Sequence, residues 1–324
     1  MLLLMRLFPH VPKWLYELSL LAAALIWGGS FVVLKDAMGT IPPGWLLGIR
    51  FLVSGFLLML IFWKRFAASL DGSHLLAGLV IGLPQGVGYL IQNIGLTTIS
   101  PGRNAFLTDV YCVVVPFLNW MVIRKRPGVN HVVAAIMVLA GVGLLSLDFS
   151  AGSQDLSLSL STGDILTLVS ALMFSVNIVF VGYLGRAHDI VVLTVLMLYV
   201  SALVCLGYAA VAEPLPSPEA INGSFLPQMA YLVLLATVYT SLAQNVGQKH
   251  VEAPTAALLL SLESVFAVIF SIVFYGETLN AQLLVGFALI FAAILVSELA
   301  GARPKAKVAV AGDTENPSGE ARVQ

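Results

Sequence analysis

The stretches YLIQNIGL (residues 89–96) and SLAQNVGQ (residues 241–248) each set a Gln-Asn pair inside strongly apolar sequence. Gln92 and Gln244 are 152 residues apart (244 − 92 = 152), which is nearly half of the 324-residue chain. When the sequence is shifted by this offset, the apolar segments and turns after the first pair coincide with those after the second, although few residues are identical. Self-similarity at a fixed offset predicts an internal duplication.

The composition is typical of a membrane protein. Hydrophobic residues make up 59% of the chain and charged residues 10%, with a mean hydropathy of +0.96. Soluble domains usually carry about 25% charged residues. The net charge of −1 gives no indication of a nucleic-acid partner. Cys112 and Cys205 lie in apolar runs without metal-binding spacing, so no disulfide framework, metal site or cofactor is expected.

The apolar runs are long enough to span a membrane. A span needs roughly 20 mostly apolar residues, and a helix in lipid satisfies its own backbone groups. The sequence therefore predicts an all-α polytopic membrane protein with ten transmembrane helices. Their approximate bounds are residues 15–36, 44–63, 74–98, 102–123, 129–147, 163–184, 189–212, 226–248, 254–275 and 280–299.

The duplication divides the ten predicted helices into two repeats of five, residues 1–148 and 160–300. Residues 301–324 are expected to form a disordered cytoplasmic tail. Because five is odd, the second repeat crosses the membrane in the opposite sense to the first. Inverted repeats are typical of secondary transporters, whose two related halves pack in alternative ways that open to opposite sides.

The basic residues predict the orientation of the chain. Lys and Arg are concentrated in cytoplasmic loops of membrane proteins. With the N-terminus in the cytoplasm, every Lys and Arg except Lys35, Arg50 and Arg103 falls on the cytoplasmic side. The expected location is the plasma (inner) membrane, multi-pass, with both termini cytoplasmic. The expected partners are a small-molecule substrate and the lipid bilayer, and a homodimer is left open.

Three segments resemble the EamA-type drug/metabolite transporter superfamily. They are AALIWGGSFVVLK (residues 23–35), QNIGLTTISPGRNAFLTDVYCVVVPFL (residues 92–118) and LLLSLESVFAVIFSIVFYGETLNAQLLVGFALI (residues 258–290). The resemblance covers about residues 15–299. It implies a secondary transporter, an exporter of small polar metabolites, amino acids or drugs by alternating access, with proton coupling as one option. It also implies a pathway lined by helices 1, 3, 4, 6, 8 and 9. The chain departs from the family's usual pattern at residues 124–127, where RKRP replaces an acidic turn.

Two other function classes remain as alternatives. A non-transporting polytopic scaffold or receptor would bury the same polar groups without an open cavity. An intramembrane enzyme is not expected, because the sequence has no H-E-x-x-H or G-x-S-x-G motif and its histidines lie at span ends or in loops.

The Gln-Asn pairs are gate or hinge candidates. Gln92 and Asn93 are expected in the outer third of helix 3, and Gln244 and Asn245 near the inner end of helix 8. The two pairs would then lie at matching depths on opposite sides and would not share one central site. The alternative is that they only join helices by hydrogen bonds, each worth about 0.6 kcal/mol.

Polar residues at the start of helix 4 are substrate candidates. Arg103 would add a guanidinium to a helix N-terminus and attract a substrate anion, or it would only reach the interface. Asp109 lies further in, beside Asn104 and Tyr111, so this stripe is expected to face a cavity or the protein interior. Structural pairing of Asp109 with Arg50 or another helix is the alternative.

Glu263 is the deepest carboxyl group in the predicted spans. It lies nine residues after Pro254, about 13–14 Å along a helix and near the bilayer midplane. Ionisable groups at that depth are costly, so Glu263 is a candidate for proton coupling or for contact with a cationic substrate. The alternative is a structural pair with Arg50 or with Tyr and Asn neighbours. Trp27 and Asn177 are further candidates for lining a central cavity, although packing explains each of them as well.

Overall fold

The computed structural model describes residues 12–300, except 125, 147–159, 222 and 252. These described residues contain helices and no strand. The predicted tail at 301–324 lies outside them. The helices are α1 (Lys13–Ala37), α2 (Pro43–Ile61), α3 (Trp63–Ser69), α4 (Gly72–Leu96), α5 (Pro101–Thr108), α6 (Tyr111–Ile123), α7 (Val129–Ser146), α8 (Thr162–Leu184), α9 (Ile190–Ala212), α10 (Phe225–Ala230), α11 (Thr240–His250), α12 (Ala253–Tyr275) and α13 (Ala281–Ala300). A 3₁₀ turn (Pro218–Ala220) precedes α10, and a π-helical segment (Tyr231–Tyr239) joins α10 to α11.

Seven helical stretches of the described chain are long and apolar enough to cross a membrane. They are Lys13–Ala37, Pro43–Ile61, Gly72–Leu96, Pro101–Val122, Thr162–Leu184, Ile190–Ala212 and Phe225–Gln244. Three shorter apolar helices also occur, Val129–Leu145, Leu259–Tyr275 and Ala281–Ser297. Each of the ten predicted segments is therefore helical, and the protein is a multi-pass, all-α membrane protein.

Two of the long spans are irregular. The span Pro101–Val122 breaks at Asp109 and Val110, where Cys112 and Val113 donate backbone hydrogen bonds three residues back. The span Phe225–Gln244 changes from α to π and back to α. Sequence periodicity predicts continuous helices at both places. Broken and π-helical turns inside spans occur where the backbone meets protein or a cavity rather than lipid.

Short polar side chains fix where several helices begin. Asp71 caps α4 by accepting a hydrogen bond from His74 N, and Ser100 caps α5 directly before Pro101. Ser161 and Asp164 form a capping box at the start of α8. Asp189 accepts from two backbone N–H groups at the start of α9. These bonds satisfy orphan donors of each first turn.

Glycines determine how closely the helices pack. Gly78, Gly82 and Gly86 of α4 face α9, and a Cβ added to any of them would approach a neighbouring atom within 3.0 Å. This small-xxx-small spacing lets the backbones of α4 and α9 approach each other closely. Gly95 faces Gly163 in the same manner, which brings α4 against α8.

Substituting Gly28 by Ala should destabilise the protein by about 1–3 kcal/mol, the usual cost of overpacking. Its added Cβ would lie 2.6 Å from Phe266 Cβ and 2.8 Å from the Glu263 carbonyl oxygen, so α12 would have to move. The measurement is thermal unfolding in detergent. Gly207→Ala in α9 is the matched control, because nothing lies within 4 Å of its added Cβ. Equal melting temperatures for the two variants would contradict the close α1–α12 contact.

Candidate functional site

A cavity of about 150 Å³ lies inside the bundle, between α1, α2, α4, α5–α6, α8, α11 and α12. Its volume holds several water molecules. The sequence-predicted residues that line it are Trp27, Gln92, Asn93, Tyr111, Asn177, Gln244 and Glu263. Three other predicted residues are not part of this lining. Asn104 and Asp109 are buried next to it, and Arg103 lies at one end of the bundle. The side chain of Asn245 lies outside the described residues.

The position of Gln244 contradicts the expectation that the two Gln-Asn pairs lie apart. Gln92, Asn93 and Gln244 all line the same cavity. Depth along a single helix does not reveal how far a cavity extends along the bundle, and this one reaches from α4 to α11. Gln92 is also held by the protein, since its Nε2 donates to Thr108 Oγ1 over 2.7 Å.

A buried polar network joins three helices beside Gln92. Asn104 Nδ2 donates to the Gln92 carbonyl oxygen at 3.2 Å and to Thr167 Oγ1 at 2.8 Å. Thr108 Oγ1 donates to the Asn104 carbonyl oxygen, and Thr167 Oγ1 to the Gly163 carbonyl oxygen. These bonds hold α4, α5 and α8 together. Asn104 therefore orients Gln92 from behind the cavity wall rather than lining the wall itself.

Two acidic side chains approach each other in the middle of the bundle. Glu263 lines the cavity, whereas Asp109, only 3% exposed, lies at the α5–α6 break. The two carboxyl groups are near enough for their charges to interact, and Asp109 is within hydrogen-bonding reach of Ser264. Asp109 Oδ2 has no hydrogen-bond partner among the described residues. When the charges of two buried carboxyl groups interact, the ionisation of one affects the ionisation of the other.

Arg50 is a second charged group of the lining. It is 2% exposed, and its Nε donates to Thr237 Oγ1 at 2.8 Å while Nη2 donates to the Ala236 carbonyl oxygen at 3.1 Å. Trp27 Nε1 donates to the same carbonyl oxygen. Both acceptors belong to the π-helical segment. Arg50 neither reaches the membrane surface nor forms any of the ion pairs found among the described residues.

Aromatic rings complete the cavity wall. Tyr89 packs edge-on against Phe51 and Phe174, with ring centroids 5.2 Å and 4.9 Å away. Asn177 Nδ2 donates to the Ile81 carbonyl oxygen at 2.7 Å, which fixes α8 against α4. The wall therefore combines apolar rings with a few oriented polar groups, as small-molecule sites usually do.

Polar contacts close one end of the bundle, here named the Arg103 end. Arg103 Nε and Nη2 donate to Asp164 Oδ1 and Oδ2 at 2.6 Å and 2.8 Å. Ser100 donates to Glu277, and Lys35 donates to the Ile99 carbonyl oxygen. Arg103 is therefore occupied by a protein carboxylate and is not one of the residues lining the cavity. Sequence reasoning missed its partner, because Asp164 lies 61 residues away.

The opposite end of the bundle is here named the Asp189 end. A second cavity of about 290 Å³ shares Gln85, Asn177, Ile178 and Gln244 with the central one and extends to Ile190. Asp189 pairs there with Arg65, and its backbone N–H donates to His74 Nε2 at 3.1 Å. The central cavity thus continues toward the Asp189 end.

The Asp189 carboxyl predicts a pH dependence of stability. Burial opposes its ionisation, but hydrogen bonds from Arg65 and from the backbone of Val191 and Val192 outweigh burial and lower the pKa of Asp189. A carboxyl group whose pKa is lowered by folding stabilises the protein at pH values above its ordinary pKa of about 4. That stabilisation is lost as the pH falls through the lowered pKa. Asp189→Asn should therefore cost about 1 kcal/mol or less at pH 7, and the cost should shrink as pH falls below about 4. Thermal unfolding across this pH range checks it, and a pH-independent difference would contradict it.

The family is decided by the match of this chain to a known sequence profile. The profile of the EamA-like transporter family matches residues 14–147 and again residues 161–299. The chain belongs to the EamA-like transporter family. The resemblance seen in the sequence is therefore confirmed.

Relatives of this EamA-like protein are named as transporters. An uncharacterized transporter of Archaeoglobus fulgidus is 29% identical over 282 residues, covering 87% of this chain and 85% of that protein. The uncharacterized transporter YoaV of Bacillus subtilis is 23% identical over 292 residues, covering 89% and 98%. A solved crystal structure, 18% identical, superposes with a TM-score of 0.60 over 89% of this chain and 99% of the other, and thus shares its fold. These comparisons indicate a membrane transporter rather than an enzyme.

Several polar residues of this EamA-like cavity were not predicted as site residues. They are Ser30, Arg50, Gln85, Tyr89 and Thr108. Tyr89 and Gln85 lie one and two turns before Gln92 on the same face of α4, so a search for polar residues at helical spacing would have found them. Arg50 was considered from the sequence only as a structural partner for Asp109 or Glu263. Among the described residues, no cluster of His, Cys, Asp and Glu could hold a metal ion.

Proposed function

We propose that this protein is a secondary transporter that exports small polar metabolites, amino acids or drugs by alternating access, with protons as the coupling ion. The observation that carries the proposal is the central cavity, which is lined by Glu263, continues toward the Asp189 end and is closed by polar contacts at the Arg103 end. A non-transporting scaffold or receptor has no need of such a cavity.

The proposed topology is ten membrane spans in two inverted repeats, residues 1–148 and 160–300. The two separate family matches support it. The helix contacts support it as well, because exchanging the repeats maps several main contacts onto other contacts or onto themselves. The contact between α1 and α12 maps onto the contact between α8 and α5–α6. The contact between α4 and α8 maps onto the contact between α11 and α1. The α2–α9 and α7–α13 contacts map onto themselves.

In this topology both termini are cytoplasmic and the Asp189 end faces the cytoplasm. Lys64, Arg65 and Arg186 lie at or near that end, in agreement with the excess of basic residues in cytoplasmic loops. The described conformation is then open inward and closed outward. Outward release requires the Arg103–Asp164 and Ser100–Glu277 contacts to break while helices at the Asp189 end come together.

The acidic pair gives the proposed transport its proton coupling. Glu263 meets the cavity, and Asp109 stands behind it at the break between α5 and α6. A carboxyl group that meets the cavity can gain or lose a proton from either side as the cavity changes its opening. Gln92, Asn93 and Gln244 are then cavity-wall residues whose hydrogen bonds rearrange with this opening.

The test is a flux measurement with purified protein in liposomes. The liposomes are loaded with a pooled mixture of amino acids and metabolites, with and without a pH gradient, and the loss of each compound is read by mass spectrometry. Selective loss of a few compounds that depends on the gradient is expected. No loss above protein-free liposomes would contradict transport and favour the scaffold or receptor. Loss without any effect of the gradient would contradict proton coupling alone.

A further inference from the structure

The Arg50 guanidinium is a buried cation held in place with part of its hydrogen-bonding capacity unused. Nε and Nη2 donate to the π-helical segment, whereas Nη1 is buried and has no partner among the described residues. Isolated ionised groups are very unfavourable in an apolar interior, and buried donors are normally paired. An unpaired donor on a fixed cation that lines a cavity therefore indicates a missing anionic partner.

The surroundings of Arg50 contain rings rather than carboxylates. Its guanidinium carbon lies 5.5 Å from the centre of the Phe51 ring and 5.7 Å from that of Tyr89. Among the described residues, no ion pair joins Arg50 to Glu263. The cavity thus contains a cation and a carboxyl group that do not neutralise each other.

The remaining groups limit which anion fits. Arg50 is the one Lys or Arg among the described lining residues, so a dianionic phosphate would bring more charge than the site can match. The Asp109–Glu263 pair also disfavours a second carboxylate on the ligand. Asn93 Oδ1 is a buried acceptor without a partner among the described residues, and it suits an N–H group of the ligand. A guanidinium matches the planar shape of one carboxylate.

We propose that Arg50 is the anion-binding residue of the cavity, and that the transported compounds are small monocarboxylates with an apolar or amine-bearing body. The Tyr89 and Trp27 rings would contact that body. The statement that these compounds are transported rests on the proposed function. The binding of a carboxylate at Arg50 does not depend on it.

The experiment measures which compounds the purified wild-type protein retains from the same pooled mixture, supplemented with leucine, 4-methylpentanoate and the primary amide of each. Retained ligands are identified by mass spectrometry, and thermal stabilisation gives their affinities. Every retained compound should carry one carboxylate, and each carboxylate should bind at least about tenfold more tightly than its amide, since bonds to charged groups are the stronger ones. Retention of neutral or purely cationic compounds, equal binding of acid and amide, or no retention at all would overturn the inference.

Variants at Arg50 give the second measurement. Arg50→Gln should weaken carboxylate binding roughly ten- to hundredfold, and Arg50→Lys should restore part of it, because Lys keeps the charge but loses the planar fork. Unchanged carboxylate affinity in folded Arg50→Gln would overturn the assignment. If Arg50→Gln does not fold, the comparison of acids with amides on the wild-type protein still decides the matter.

The outcomes separate this inference from the proposed function. Arg50-dependent carboxylate binding without flux would keep the inference and contradict transport. Flux of compounds that carry no carboxylate would keep transport and contradict the inference.

Discussion

Substituting Glu263 by Gln should reduce the rate of pH-gradient-driven flux roughly ten- to hundredfold. This range corresponds to the loss of one hydrogen bond to a charged group. Gln fills nearly the same volume and still forms hydrogen bonds, but it cannot release a proton. The adjoining Asp109 carboxyl would lose the neighbour with which its charge interacts. The measurement is the initial rate of loss from loaded liposomes with the gradient imposed, and the same rate without it.

The variant should still exchange substrate when labelled compound is present on both sides, because exchange needs no net proton movement. Glu219→Gln is the matched control, since that exposed carboxyl group lies in the 3₁₀ turn Pro218–Ala220, away from the cavity. Gradient-driven flux of Glu263→Gln at the wild-type rate would remove Glu263 from the coupling mechanism. Loss of exchange together with gradient-driven flux would make Glu263 a binding residue instead.

The sequence predicted the helices well because their information is local. Apolar length alone defines the segments around Trp27, Asn177 and Glu263, and all three residues line the cavity. The spacing of Gly82 and Gly86 is also a local pattern, and these glycines lie where α4 packs against α9. Local patterns of this kind survive folding, since each helix in lipid satisfies its own backbone.

The features that the sequence could not predict depend on contacts between distant segments. The role of Arg50 requires the Ala236 carbonyl group, which lies 186 residues further along the chain in the π-helical segment. The partner of Arg103 lies at the start of another span. The shared cavity of Gln92 and Gln244 depends on how α4 and α11 pack around it. Single-helix reasoning about depth and faces contains none of this information.

Substituting Arg103 by Gln should destabilise the described conformation by about 3–5 kcal/mol, as removal of one partner of a buried ion pair does. Asp164 is 1% exposed, and without Arg103 its charge would remain buried with only the capping hydrogen bonds from Ser161. In the proposed outward-open state Asp164 would be exposed to water, so the equilibrium should shift toward that state. Thermal unfolding measures the loss, and amide hydrogen exchange around residues 100–108 and 161–167 measures the opening.

A double-mutant cycle with Asp164→Asn tests whether the effect comes from the ion pair. Asn retains most of the capping function at α8 but carries no charge, so Arg103→Gln should cost much less when Asp164 is already Asn. Arg65→Gln is the control at the other end of the bundle. Its pair with Asp189 is exposed on the arginine side (49%), so it should cost about 1 kcal/mol or less and leave exchange at 100–108 unchanged. Equal losses for Arg103→Gln and Arg65→Gln would mean that the Arg103–Asp164 pair does not hold this end closed.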